Sequence, residues 1–252
     1  MNALKIFSQN WLDENCTITP SSGDATKAKF YDQKQATQWL SEGSNDAVEE
    51  SVEISFNNWQ AEAVDRTFNR IIILNHNLKT CAFDYWDGAA WQVIAEAAMT
   101  AETEAYTYIE LATPVSATII RMRPATTQVV DAEKAIGELK FCNSIIDGAQ
   151  QWLSSLPRSD DQQSGSQRTG EGRIISWREW TKFGAAGTIS NVSLADLNLL
   201  LPYLKAAQFV TVVFYEDFDL SECYECAIVQ APNHTINRKT RLFDVSLELK
   251  EI

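Results

Sequence analysis

Four groups of residues in this 252-residue chain have the types and spacing that chemistry needs. Cys223 and Cys226 are spaced like half a zinc site or a redox pair. A zinc ribbon needs a second pair, and His234 is the only nearby imidazole. A thioredoxin-like pair sits between a strand and a helix, whereas Tyr224 to Gln230 reads as a strand, so these thiols are expected to be buried and structural. Glu216, Asp217, Asp219 and Glu222 form an acidic run without the glycine of a calcium loop, and they read as a solvated loop tip. His76 is one of two histidines and has no nucleophile or paired acid near it in sequence. Asn75-His76-Asn77 is more simply a turn whose side chains bond their own backbone. Asp84 and Asp87 could be paired as glycosidase carboxylates, but they flank a hairpin turn, where carboxylates are usually exposed. No nucleophile elbow, phosphate loop or dinucleotide fingerprint is present. The expectation is therefore a protein that is not an enzyme, with no catalytic residue, no cofactor and no metal.

The elements that carry these residues centre on Arg70 to Ile94. Ile71 to Leu74 is a short apolar run, the mark of a strand buried on both faces. After the Asn75–Asn77 turn, Cys81, Phe83 and Tyr85 alternate with Ala82, Asp84 and Trp86, which predicts a second strand. Asp87-Gly88 is a hairpin signal, since glycine supplies the positive φ of a tight turn. Trp91, Val93 and Ala95 continue on a third strand, with Trp91 expected to anchor the hairpin against the core or a cross-strand neighbour. An antiparallel β domain follows from this unit.

Around it, Val52, Ile54 and Phe56 alternate, as do the positions of Tyr106 to Leu111, and Ala117 to Met122 and Ile136 to Cys142 read as further strands. About seven short strands separated by turn signals favour a sandwich or jelly roll. Ser154 to Gly172 is polar and rich in glycine and serine, and reads as a linker or a long exposed loop. Ser193 with Asp196 is a capping box, with Leu194, Leu197, Leu201 and Leu204 at helical spacing behind it and Pro202 as a break. Phe209 to Tyr215, Tyr224 to Gln230 and Phe243 to Leu249 read as strands. The fold class expected is mainly β: an antiparallel jelly-roll β-sandwich over 1–143 with an N-terminal arm, then a smaller α+β domain over 144–252 with a long polar loop at 154–172.

Charge narrows the partners. A formal charge of −13 opposes binding to nucleic acid or to an anionic membrane surface. No run approaches the about 20 apolar residues of a membrane span. The first ten residues lack the basic flank and apolar stretch of a signal peptide. Five scattered cysteines suit synthesis in a reducing compartment.

Phe30-Tyr31-Asp32 with Thr37 and Trp39, the strand before Asn75, Asp87-Gly88 with Trp91, Val115 to Arg123 and Ile136 to Leu139 together resemble a discoidin-type, galactose-binding-like jelly roll over about residues 15–143. The Asn75–Leu78 turn, the polar linker and the closing strand resemble structural tail proteins of tailed bacteriophages. That resemblance implies a structural protein of the tail-tip or baseplate region, made in the host cytoplasm and carried in the virion tail. Its partners would be copies of itself in a ring and other tail proteins. Many discoidin relatives bind glycans, which implies an alternative: a carbohydrate-binding module or adhesin in which Trp39, Tyr85, Trp86 or Trp91 stacks on sugar rings. Whether these four aromatics are buried, or exposed together at one end, discriminates between the two.

Overall fold

The computed structural model describes residues 3–34, 36–43, 46–153, 158–168, 174–206, 209–215, 223–229, 234–236 and 241–251. In chain order the strands are β1 (Ala3–Ser8), β2 (Thr17–Pro20), β3 (Trp39–Leu40), β4 (Val52–Ser55), β5 (Arg66–His76), β6 (Leu78–Trp86), β7 (Trp91–Val93), β8 (Thr107–Ala117), β9 (Ile119–Thr127) and β10 (Ala135–Cys142). They continue with β11 (Ser144–Leu153), β12 (Arg158–Arg168), β13 (Ile174–Val192), helix α1 (Leu194–Ala206), β14 (Phe209–Tyr215), β15 (Cys223–Ile228), β16 (His234–Ile236) and β17 (Phe243–Glu251). The chain divides into two compact units, Asn10–Ser144 and Met1–Gln9 with Ile145–Ile252.

Asn10–Ser144 is a two-sheet antiparallel sandwich of the jelly-roll kind. One sheet has the order β3-β10-β5-β8 and the other β2-β4-β9-β6-β7. Period-two alternation sends Ile71, Ile73, Leu139 and Phe141 inward from the first sheet, and Val52, Ile54, Cys81, Phe83, Ile120 and Met122 inward from the second. Phe141 lies at the centre, with the rings of Phe68, Phe56 and Phe83 edge-on at 5.0, 5.7 and 6.4 Å. Each such pair contributes about 0.5–1.5 kcal/mol beyond the area it buries. Ile71 to Leu74 are all fully buried, as a continuous apolar run requires.

The turn between β5 and β6 is tighter than a loop, since only Asn77 separates the two strands. Asn75 adopts a left-handed φ of 50°, which asparagine tolerates. Asn77 holds the corner by accepting from the Ala135 N–H at 2.9 Å and donating to the Glu133 carbonyl at 2.7 Å. His76 completes it: Nδ1 accepts from the Leu78 N–H at 3.1 Å, so Nε2 carries the proton and faces Thr107 Oγ1 at 2.8 Å.

The other unit contains an eight-stranded sheet, ordered β12-β13-β11-β1-β14-β15-β17-β16, in which β13 also pairs with β17. That extra pairing closes six strands into a ring. The expected N-terminal arm on the jelly roll is a strand of this unit. β1 pairs antiparallel with β14 from Ala3↔Tyr215 to Ser8↔Val210, because Ile6 and Phe7 need a sheet in which to be buried. The expected polar loop is also corrected in part: Arg158–Arg168 is a strand paired with β13, from Arg158↔Ala185 to Arg168↔Ile174. A polar sequence can take this form because the ladder bonds are made by the backbone. Residues 154–157 and 169–172 lie outside the described residues.

Helix α1 starts as its capping box predicts, with the Asp196 N–H donating to Ser193 Oγ at 3.0 Å. Its buried stripe is Leu197 and Leu200, with Leu201 partly buried, while Leu194 is 59% exposed. Cys223 is buried and Cys226 lies in this unit's core. Three residues apart on one strand, their side chains leave opposite faces and do not converge. Among the described residues no group of three or more histidines, cysteines or acids is placed to hold a metal. The acidic run 216–222 lies outside the described residues.

Candidate functional site

The four aromatics singled out from sequence do not stay together. Trp39 is fully buried and stacks on Phe30, ring centroids 5.2 Å apart. It sits on the two-residue strand β3, opposite Ile136, and its ring fills the core end nearest the β5–β6 corner. Gly23 packs so closely there that a Cβ would lie 2.8 Å from Trp39 Nε1. Trp39 is a core residue and not a sugar platform.

Trp86 and Trp91 do come together, on the β6–β7 hairpin, whereas Tyr85 leaves the other face of β6 and packs against the core. Asp87 builds its turn: Oδ1 accepts from the Ala89 and Ala90 N–H groups at 2.8 Å each, and Oδ2 accepts from Gln92 Nε2 at 2.7 Å. Gly88 supplies the φ of 98°. Trp86 pairs with Trp91, and their rings meet edge-to-face at 5.5 Å. The Arg121 guanidinium lies 4.3 Å from the centre of the Trp91 ring. Both indoles remain partly exposed.

Below them lies a charged cluster that fixes the arginine. Asp84 is buried and its Oδ2 accepts from Arg121 Nη2 at 2.7 Å, Arg121 Nε at 3.0 Å and Arg123 Nε at 2.7 Å. Arg123 Nη1 reaches Glu49 at 3.1 Å. Burial by itself would raise the Asp84 pKa, but the hydrogen bonds and charges of Arg123 and Arg121 outweigh it and hold the carboxyl below its ordinary range. Asp87 is also held low, chiefly by the Ala90 and Ala89 N–H groups. A glycosidase acid needs a raised pKa, so neither carboxylate suits that work. They are the frame of the hairpin.

Strand register then shows where this platform lies. Thr17 is opposite Ser55, Ser55 opposite Ile119, and Tyr85 opposite Ile120, so Trp86 and Trp91 stand at the same end of the sheet as Thr17 and Ser55. Beyond Ser55 the chain makes a tight excursion closed by the Asn57–Ala63 bridge. Trp59 is at its tip and is 81% exposed. The loop beneath it is rigid: Asn58 Oδ1 accepts from the Gln60 and Glu62 N–H groups at 2.9 and 3.0 Å, and Asn58 Nδ2 donates to Glu62 at 2.9 Å. Trp59 is not among the aromatics that the sequence marks for sugar stacking. The available signal was a tryptophan next to two asparagines, a turn-former pattern that leaves a large ring no strand face to bury. One end of the sandwich therefore carries three tryptophans, Trp59, Trp86 and Trp91, on bonded turns.

His76, at the opposite corner, is no base. Burial pushes its pKa down to about 4, with the Glu102 charge opposing in part. Both ring nitrogens are engaged.

Solved carbohydrate-binding modules are similar to this sandwich in structure, at low sequence identity. Over about half the chain it is structurally similar to the module CpGH89CBM32-6 of Clostridium perfringens, with 17% identity over 53% of this chain and 98% of that one, and a TM-score of 0.43. A chitosan-binding module from the chitosanase/glucanase of Paenibacillus sp. IK-5 has 16% identity over 52% of this chain and 97% of that one, at a TM-score of 0.42. The family 32 module of NanJ from C. perfringens, whose structure contains galactose, has 15% identity over 56% and 99%, at 0.43. No protein-family model matches the chain. No curated protein matches it.

Proposed function

We propose that the chain is a non-enzymatic glycan-binding protein, an adhesin in which the jelly-roll unit makes the sugar contact. The observation that carries this reading is the set of three tryptophans at one end of the sandwich, with Trp59 81% exposed on a rigid turn. Large exposed rings grouped at one end are the kind of apolar surface that a ligand covers. Sugar rings present flat C–H faces to indoles and hydroxyls to fixed polar groups, and Arg121 beside Trp91 is such a group. The test is a glycan array followed by calorimetric titration of the best ligand. Trp59→Ala and Trp91→Ala are expected to weaken binding about tenfold or more, as loss of an anchoring aromatic does. Retention of no glycan on the array, or unchanged affinity in both variants, overturns the reading.

A second reading, a structural protein of a bacteriophage tail that assembles as copies of itself with other tail proteins, is favoured by a different feature. Ile174–Phe183 of β13 pairs only with β12 among the described residues, and β12 has a strand on one side alone. An 11-residue edge of unpaired backbone groups invites another strand. Light scattering and negative-stain microscopy of the purified chain check this: closed rings are expected, and a monomer at all concentrations refutes it.

A further inference from the structure

On the other side of the β6–β7 hairpin is a cleft that the tryptophan platform does not use. It has a volume of about 300 Å³ and is lined by Tyr85, Ile94, Glu96, Thr113, Pro114 and Ser116, among others. The two sheets create it. β7 and β8 are their edge strands, and β8 leaves its ladder where four residues, Leu111 to Pro114, stand opposite Asn69 alone. The bulge is tied back by Glu96, whose Oε2 accepts from the Ala112 N–H at 2.7 Å. That bond pins one carboxylate oxygen, and the other has no partner among the described residues. Tyr85 has its ring packed against the core, and its hydroxyl has no partner among the described residues. The Ser116 hydroxyl accepts from Thr67 at 3.0 Å and keeps its own proton to donate.

We propose that this cleft is a second, independent saccharide site that takes one pyranose ring without an acidic group. The volume is at the lower end of small-ligand pockets, which suits a single ring. Ile94, Pro114 and the Tyr85 ring offer an apolar wall to the C–H face. The Tyr85, Thr113 and Ser116 hydroxyls donate and accept, and Glu96 supplies a charged acceptor for sugar hydroxyls. Glu96 is the only charged side chain among the lining residues, so a uronate would meet like charge with no cation to offset it. The site lies apart from Trp59, Trp86 and Trp91, so it stands or falls separately from the platform.

The test is a ¹⁵N-labelled titration of the whole chain with methyl glucoside, methyl galactoside, glucosamine and glucuronate, read at the amides of residues 93–96 and 113–116. Saturable shifts with at least one non-acidic sugar are expected, with glucuronate at least about tenfold weaker. Glu96→Gln keeps an oxygen for Ala112 but exchanges the free acceptor for a donor. It is expected to weaken binding about tenfold or more, the effect of losing a hydrogen bond to a charged group. Trp91→Ala should leave these shifts unchanged. No saturable shift with any of the sugars, glucuronate binding as well as the others, or full affinity in Glu96→Gln overturns the proposal. Loss of the shifts in Trp91→Ala overturns its independence from the platform.

Discussion

Acid should loosen the jelly-roll unit through one buried histidine, and the size of the effect follows from its surroundings. His76 is 3% exposed, and its pKa falls from 6.5 to about 4, chiefly by burial. A group with a depressed folded pKa contributes stability that is present above its unfolded pKa and lost as pH falls through the folded one. Here the unfolded chain takes up the proton near pH 6.5 while the folded unit resists it until about pH 4. The loss is about 1.4 kcal/mol at pH 5.5 and about 3 kcal/mol by pH 4. Protonation also turns Nδ1 from acceptor to donor, which breaks its bond to the Leu78 N–H and opens the corner between the two sheets. His76→Asn offers an uncharged acceptor in place of Nδ1 and removes the titration. Urea melts of both proteins at pH 7.5, 5.5 and 4.0, followed by tryptophan fluorescence, give the difference in slope. The carboxylates that also titrate, Glu102 beside His76 excepted, are common to both and cancel. Wild type should lose about 3 kcal/mol more than His76→Asn over that range. Parallel pH profiles would refute the reasoning.

Two further changes probe the frame. Asp84→Asn keeps the shape but removes the charge that holds Arg121 and Arg123, and should cost about 3 kcal/mol in the same melts; a loss below about 1 kcal/mol would mean the arginines are held by solvent. Gly23→Ala forces a Cβ to within 1.9 Å of the Leu40 carbonyl oxygen at a φ of 69°, and should cost about 2–3 kcal/mol with the Phe30–Trp39 stack disturbed. An unchanged melting temperature for that variant would show that the 23–40 approach is looser than described.

The elements legible from residue order are local. Ile71 to Leu74, the alternation from Cys81 to Trp86 and Asp87-Gly88 specify two strands and a hairpin, because periodicity and turn chemistry act over a few residues. The Ser193–Asp196 box specifies a helix start for the same reason. Which residues share a surface follows from long-range strand pairing. Trp39 and Trp91 look alike in sequence, but cross-strand register takes one ring into the core against Phe30 and leaves the other beside Arg121. Trp59 became visible only once the Asn57–Ala63 bridge lifted it clear of both sheets. Met1–Gln9 joined the strands after residue 144 because β14 offers Ile6 and Phe7 a ladder 200 residues away, and no local pattern encodes a partner at that distance. Arg158–Arg168 reads as loop because its side chains carry no apolar alternation, and it is a strand because β13 satisfies its backbone.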